Sequence, residues 1–108
     1  MTLKELQSRV DGWIKEKGVR YFNELTNTTI LMEEVGEFAR IMAREYGEQS
    51  YKDSDLKYDK ADELADIIFV LVCLANQMDL DLETAIVKNL DKKSNRDADR
   101  HQNNPKLK

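Results

Sequence analysis

Apolar side chains recur along this chain at the three- and four-residue spacing of amphipathic helices. Leu3, Leu6, Val10, Trp13 and Ile14 form one such stripe, which predicts a first helix over about residues 3–17. Thr2 and Glu5 have capping-box spacing ahead of it, and Gly18 stands where a C-cap is needed. An aromatic connector with Tyr21 and Phe22 follows. Ile30, Leu31, Val35, Phe38, Ile41 and Met42 line a second helix, with Thr26, Asn27 or Thr28 as its cap and Gly47 past its end. Residues 48–57 are polar and read as a loop. A third helix is predicted over about 58–78 and a fourth from Asp81, its N-cap, with Leu80 and Ala85 at the positions of a hydrophobic staple. Ala85, Ile86 and Leu90 give that helix an apolar side. Beyond Lys92 the chain is polar, and its last residues read as a loose tail.

The third helix departs from the amphipathic pattern. Nearly every residue over 67–75 is apolar, so the helix needs cover on more than one side. A second copy of the chain is the simplest cover, as homodimer or homotetramer. The predicted class is all-α, a four-helix bundle that oligomerises through its apolar third helix.

Composition narrows the picture. The 108 residues suit one compact domain, expected over 1–97 with a polar tail over 98–108. Charged residues make up 35% of the chain at a net charge of −4, which argues against nucleic-acid binding through a dominant basic field. The longest apolar run is too short to span a bilayer. The lone cysteine, Cys73, cannot form an internal disulfide and suits a cytoplasmic setting.

The candidate chemistry lies in the acids. On a wheel of about 100° per residue, Glu34 falls inside the apolar stripe of the second helix, Glu37 at its edge and Glu33 further towards solvent. Glu63 and Asp66 are likewise three apart, on the side of the third helix that carries Val70, Cys73 and Leu74. Each pair alone has the spacing of an ordinary solvated face. If the two helices pack antiparallel, however, the pairs face one space, and only a highly charged cation resolves their repulsion. Oxygen ligands without a nearby histidine select Mg²⁺, with Mn²⁺ as substitute, over zinc.

Leu31-Met32-Glu33-Glu34-Val35-Gly36-Glu37, followed after a spacer by Glu63-Leu64-Ala65-Asp66, resembles the MazG-like nucleotide pyrophosphohydrolases of the all-α NTP pyrophosphatase superfamily. Both halves of that family's E-E-x-x-E and E-x-x-D signature are present, and the helix pattern agrees over residues 1–95. The resemblance implies hydrolysis of a nucleoside triphosphate to the monophosphate and pyrophosphate. It implies Mg²⁺ on Glu34, Glu37, Glu63 and Asp66, and it makes Glu33 a candidate to orient or deprotonate the attacking water, with Glu34 also in the catalytic centre. The family's C-terminal Lys and Asn, often in a K-x-x-x-N arrangement, are not matched at that spacing. Lys88, Asn89, Lys92, Asn95 and Arg96 are only candidates there, each read more readily as solvated helix surface.

No Walker-type loop is present, so basic side chains must help hold phosphates; Lys15, Lys17, Arg20 and Lys52 are candidates beside the metal motif. For the base, Trp13, Tyr21 or Phe22 could stack and Asn23 or Asn27 could read an edge, against the plainer reading of Trp13 as core. Two related activities share the signature, on dUTP and on phosphoribosyl-ATP. A di-iron bundle needs Glu-x-x-His pairs, and the only histidine, His101, is in the tail. A non-enzymatic helical adaptor is the reading outside catalysis.

Overall fold

The structure, a computed structural model, describes residues 1–53 and 59–108. It is all-α, with no strand among the described residues. Helix α1 (Leu3–Trp13) begins on Thr2, whose hydroxyl accepts from the Glu5 amide while the Glu5 side chain returns to the Thr2 amide, the predicted capping box. The predicted stop at Gly18 falls differently. Ile14–Gly18 form one wide π-helical turn, and the chain leaves it through Val19 at φ 73°. The extra residue in that turn moves the positive-φ position off the glycine onto a β-branched residue, where it is strained.

Helix α2 (Glu24–Glu45) is capped by Asn23, whose carboxamide accepts from the Thr26 amide at 2.8 Å. This corrects the cap expected at Thr26, Asn27 or Thr28. Those residues lie inside the helix, where the Thr28 hydroxyl donates back to the Glu24 carbonyl, a bond that helical threonine tolerates. At its far end Gly47 leaves no room for a Cβ, which would meet the Ala43 carbonyl oxygen at 2.4 Å.

Helix α3 (Lys60–Gln77) starts on Asp59, which accepts from Ala61; Tyr58, the expected start, and residues 54–57 of the expected loop lie outside the described residues. The helix closes in a Schellman arrangement. Leu80 donates to Ala75 and Asp79 to Asn76, with Asp79 at φ 57° in the place glycine usually takes. Helix α4 (Leu82–Lys92) has the expected cap, Asp81, which accepts from both the amide and the hydroxyl of Thr84.

The expected loose tail is helical instead. A second wide turn (Lys93–Asp97) continues α4 into α5 (Ala98–Gln102), followed by a 3₁₀ turn (Pro105–Leu107). Between Lys92 and Asn104 no glycine or proline interrupts the helix, and Pro105 is the first residue that cannot extend it.

The core is small: Val10, Ile14, Val72 and Cys73, flanked by Leu6, Tyr21 and Leu82. Gln7, Asn76, Tyr21 and Asp11 tie α1, the connector and α3 together beside it. The Tyr21 hydroxyl donates to Asp11 at 2.6 Å and accepts from Asn76 at 3.1 Å. Burial and the Asp11 bond push the Tyr21 hydroxyl up to about 12. Helix α4 buries none of its residues. The radius of gyration is 17.5 Å, against about 13 Å for a compact domain of this length, so the chain is not a closed ball. Helix α3 likewise buries Val70, Val72, Cys73, Leu74 and Ala75 but leaves Leu64, Ile68 and Leu71 more than two-fifths exposed on one stripe.

Candidate active site

Helices α2 and α3 run antiparallel, tied at both ends. Lys60 at the start of α3 donates to Glu45 at the end of α2 at 2.7 Å. Asn27 near the start of α2 donates to Gln77, the last residue of α3, at 2.8 Å. This register sets Glu34 and Glu37 opposite Glu63. One carboxylate oxygen from each of the three lies within 4.8 Å of the other two. Glu63 is buried, Glu34 half-buried and Glu37 exposed, as the wheel had turned them for α2.

Oε2 of Glu34 and Oε2 of Glu63 are sealed from solvent and accept no hydrogen bond. Burying a carboxylate oxygen without a partner is costly, and the two groups respond alike. Burial pushes the Glu34 carboxyl above its ordinary range, and the charges of Glu37, Asp66 and Glu33 push it the same way. Glu63 is raised first by burial, then by Glu37, Asp66, Glu34 and Asp62. Converging oxygens with orphaned lone pairs, and no histidine or thiol among them, fit a hard divalent cation. Asp66 lies outside the tight three-oxygen cluster but close enough for its charge to act on both buried glutamates. Glu33 is exposed.

A cavity of about 550 Å³ opens beside these acids, with Glu34 and Asp66 in its lining. The rest of its wall comes from the end of α1 and the wide turn after it, the connector, Asn27 and Ile30 of α2, and α3. Trp13 and Phe69 meet edge to face at 5.7 Å between ring centroids, and Phe22 and Val70 also line the space. Trp13 is half-exposed, so it forms a wall and not core. Such a space, apolar on one side and acidic on the other, suits a flat organic group attached to a metal-bound anion.

A family model of the MazG nucleotide pyrophosphohydrolase domain matches residues 22–101, which include all five acids. The chain belongs to the MazG nucleotide pyrophosphohydrolase family. It is 39% identical over 99 residues to the uncharacterized protein YpjD of Bacillus subtilis, covering 92% of this chain and 89% of that one. The crystal structure of YpjD superposes with a TM-score of 0.79 at 38% identity, over 89% of this chain and 96% of that one. A Bacillus-conserved MazG protein, a nucleotide pyrophosphohydrolase, superposes at 0.74 with 36% identity, over 92% of this chain and 96% of that one. The all-α fold and pyrophosphohydrolase activity of the MazG family are therefore those of this chain.

The remaining candidates sort by position in this MazG fold. Asn23 is spent on capping α2 and does not line the cavity, whereas Asn27, one turn on, does. Arg20 lines it too, with Nη1 donating to the Tyr21 carbonyl. Lys52, Lys88, Lys92 and Asn95 are exposed and do not line it, and neither Lys15 nor Lys17 does. Lys15 pairs with Asp11 at 2.7 Å. Phe69 lines the cavity against Trp13, and Gln77 stands behind the wall, bonded to Asn27; both escaped the sequence reading because they sit in the stretch read only as apolar helix and its end.

Proposed function

We propose that this MazG-family chain is a Mg²⁺-dependent nucleoside triphosphate pyrophosphohydrolase in which water attacks the α-phosphorus. The observation that carries the reading is the pair of orphaned, buried carboxylate oxygens on Glu34 and Glu63, converging with Glu37 at the mouth of a cavity sized for a base. Glu34, Glu37 and Glu63 would hold Mg²⁺, with Asp66 completing the acidic set. Bound there, Mg²⁺ supplies charge neutralisation for the phosphate oxygens. Glu33, exposed beside the cluster, orients the water and accepts its proton as the new oxygen–phosphorus bond forms. The bond from the α-phosphorus to the bridging oxygen breaks, and pyrophosphate leaves. Trp13, Phe22 and Phe69 wall the base, and Arg20 supplies a positive charge at the cavity. Lys52, Lys88, Lys92 and Asn95 could reach the nucleotide only through a second copy or a closing motion. A cytoplasmic setting suits such a substrate.

Pyrophosphate release should be measured with Mg²⁺ across canonical and modified nucleotides, dUTP and phosphoribosyl-ATP included. At least one nucleoside triphosphate should turn over well above background. Turnover confined to dUTP or phosphoribosyl-ATP would move the chain to a neighbouring specificity, and silence across the panel would leave the adaptor reading.

The same proposal includes self-association. Leu64, Ile68 and Leu71 recur at i, i+4 and i+7 on α3, with Met32 and Val35 exposed on α2. The expected result by light scattering at micromolar concentration is a dimer or larger. Leu71→Glu should shift it towards monomer, and a monodisperse unaltered monomer would contradict the assignment.

A further inference from the structure

Asn27 is 6% exposed and yet lines the cavity. Its amide nitrogen donates twice, to the Phe22 carbonyl at 3.3 Å and to Oε1 of Gln77 at 2.8 Å. A carboxamide carries two N–H donors and one oxygen, so both of its hydrogens are committed to the protein. The orientation is not free to reverse. Gln77 donates Nε2 to the same Phe22 carbonyl at 2.7 Å, which fixes its own oxygen towards Asn27. Turning the Asn27 carboxamide over would set its oxygen against two acceptors. What Asn27 leaves for the cavity is therefore an oxygen, an acceptor of fixed polarity beside the rings and aliphatic groups of the wall; Arg20, which also lines it, carries only donors.

The other polar groups around that space do not duplicate it. The Tyr21 hydroxyl is engaged by Asp11 and Asn76, and Glu34 and Asp66 belong to the acidic end of the cavity. A nucleobase that fills the space would cover this acceptor and must satisfy it with an N–H of its own, because leaving it buried and unpaired is penalised.

We propose that Asn27 Oδ1 reads an N–H on the edge of the nucleobase, and that Gln77, which does not touch the base, is the positioning residue that fixes Asn27 for this. The substrate class is thereby narrowed to nucleotides whose base presents an amino or imino hydrogen at that edge; bases lacking it or alkylated there are rejected. This rests on the reading of the cavity as the base site, but not on the hydrolytic reaction.

The test uses uncharged nucleosides in EDTA, so that neither metal nor phosphate takes part. Binding is followed in ¹H–¹⁵N spectra by the Trp13 indole and the Asn27 side-chain amide. Three pairs are compared: adenosine with purine riboside, cytidine with its 4-deamino analogue, and uridine with 3-methyluridine. In the pair whose parent binds best, the analogue should bind roughly tenfold more weakly or worse, the scale set by one buried unpaired acceptor. Gln77→Met keeps length and shape at the last residue of α3, and a melt checks its fold. It should shrink that ratio several-fold while leaving the analogue's own affinity unchanged, which a merely structural role would not do. A ratio near one in the unaltered protein, an undiminished ratio in Gln77→Met, or no binding by any nucleoside would overturn the inference. Failure of the hydrolase reading shows elsewhere, as absent pyrophosphate release beside an intact binding ratio.

Discussion

Glu34→Gln and Glu63→Gln should each lower pyrophosphate release by on the order of a hundredfold or more, and neither should weaken the metal-free fold. A cation at a phosphoryl centre supplies several kcal/mol of charge stabilisation, and each 1.36 kcal/mol is about tenfold in rate, so losing a ligand that places it is severe. The stability expectation has the opposite sign. Both carboxyls are raised by burial and by neighbouring acids, so the native state holds their protons more tightly than the unfolded chain does. Their contribution to stability is full below the ordinary value of 4.5 and is lost as pH rises through the raised native values. In EDTA the protein should therefore melt higher in mild acid than these two groups allow at neutrality. The amide variants should flatten that dependence and raise the stability at neutral pH by on the order of 1 kcal/mol, read as a higher melting point. Asp66→Asn should follow the same pattern more weakly, as it stands outside the three-oxygen cluster. Glu33→Gln should spare Mg²⁺ affinity and lower turnover, and Glu48→Gln should change neither property. If Glu34→Gln and Glu63→Gln lost metal-free stability while keeping activity, these acids would be structural.

Exhaustive chelation should abolish activity altogether, with Mg²⁺ or Mn²⁺ restoring it. The metal should also move the melting point, because a ligand that binds only the native state at a hundred times its Kd stabilises by about 2.7 kcal/mol. That gain should be largely lost in Glu34→Gln and kept in Glu48→Gln. Activity that survives chelation would remove the metal from the account, and an unmoved melting point in the active protein would place the cation elsewhere.

The fold was legible where local chemistry decides it. The Thr2–Glu5 box, the Asp81 cap and the end of α2 before Gly47 all depend on residues a few positions apart. The misses have a common cause. The two wide turns, at residues 14–18 and 93–97, each insert a residue that no periodicity announces, and the first moves the positive-φ position from Gly18 to Val19. The α2 cap lies three residues earlier than the earliest expected because Asn23 and Glu24 satisfy cap and first turn while the following threonines bond back into the helix. In the site, the inward turn of Glu34 was written in its place within an apolar stripe. Its partnership with Glu63 needed antiparallel packing that the sequence could only suppose. The cavity wall was half legible: Trp13 and Phe22 precede α2 in sequence, but Phe69 joins them, and Gln77 comes to support Asn27, only through the packing of α3 against α1 and α2.

The most direct test of the central claim is hydrolysis in ¹⁸O-enriched water, read by ³¹P NMR and mass spectrometry. Attack at the α-phosphorus predicts nucleoside monophosphate and pyrophosphate as the products, with the label in the monophosphate. Label in pyrophosphate would place the attack on the β-phosphorus, and nucleoside diphosphate with orthophosphate would place the reaction at the wrong bond; either contradicts the account.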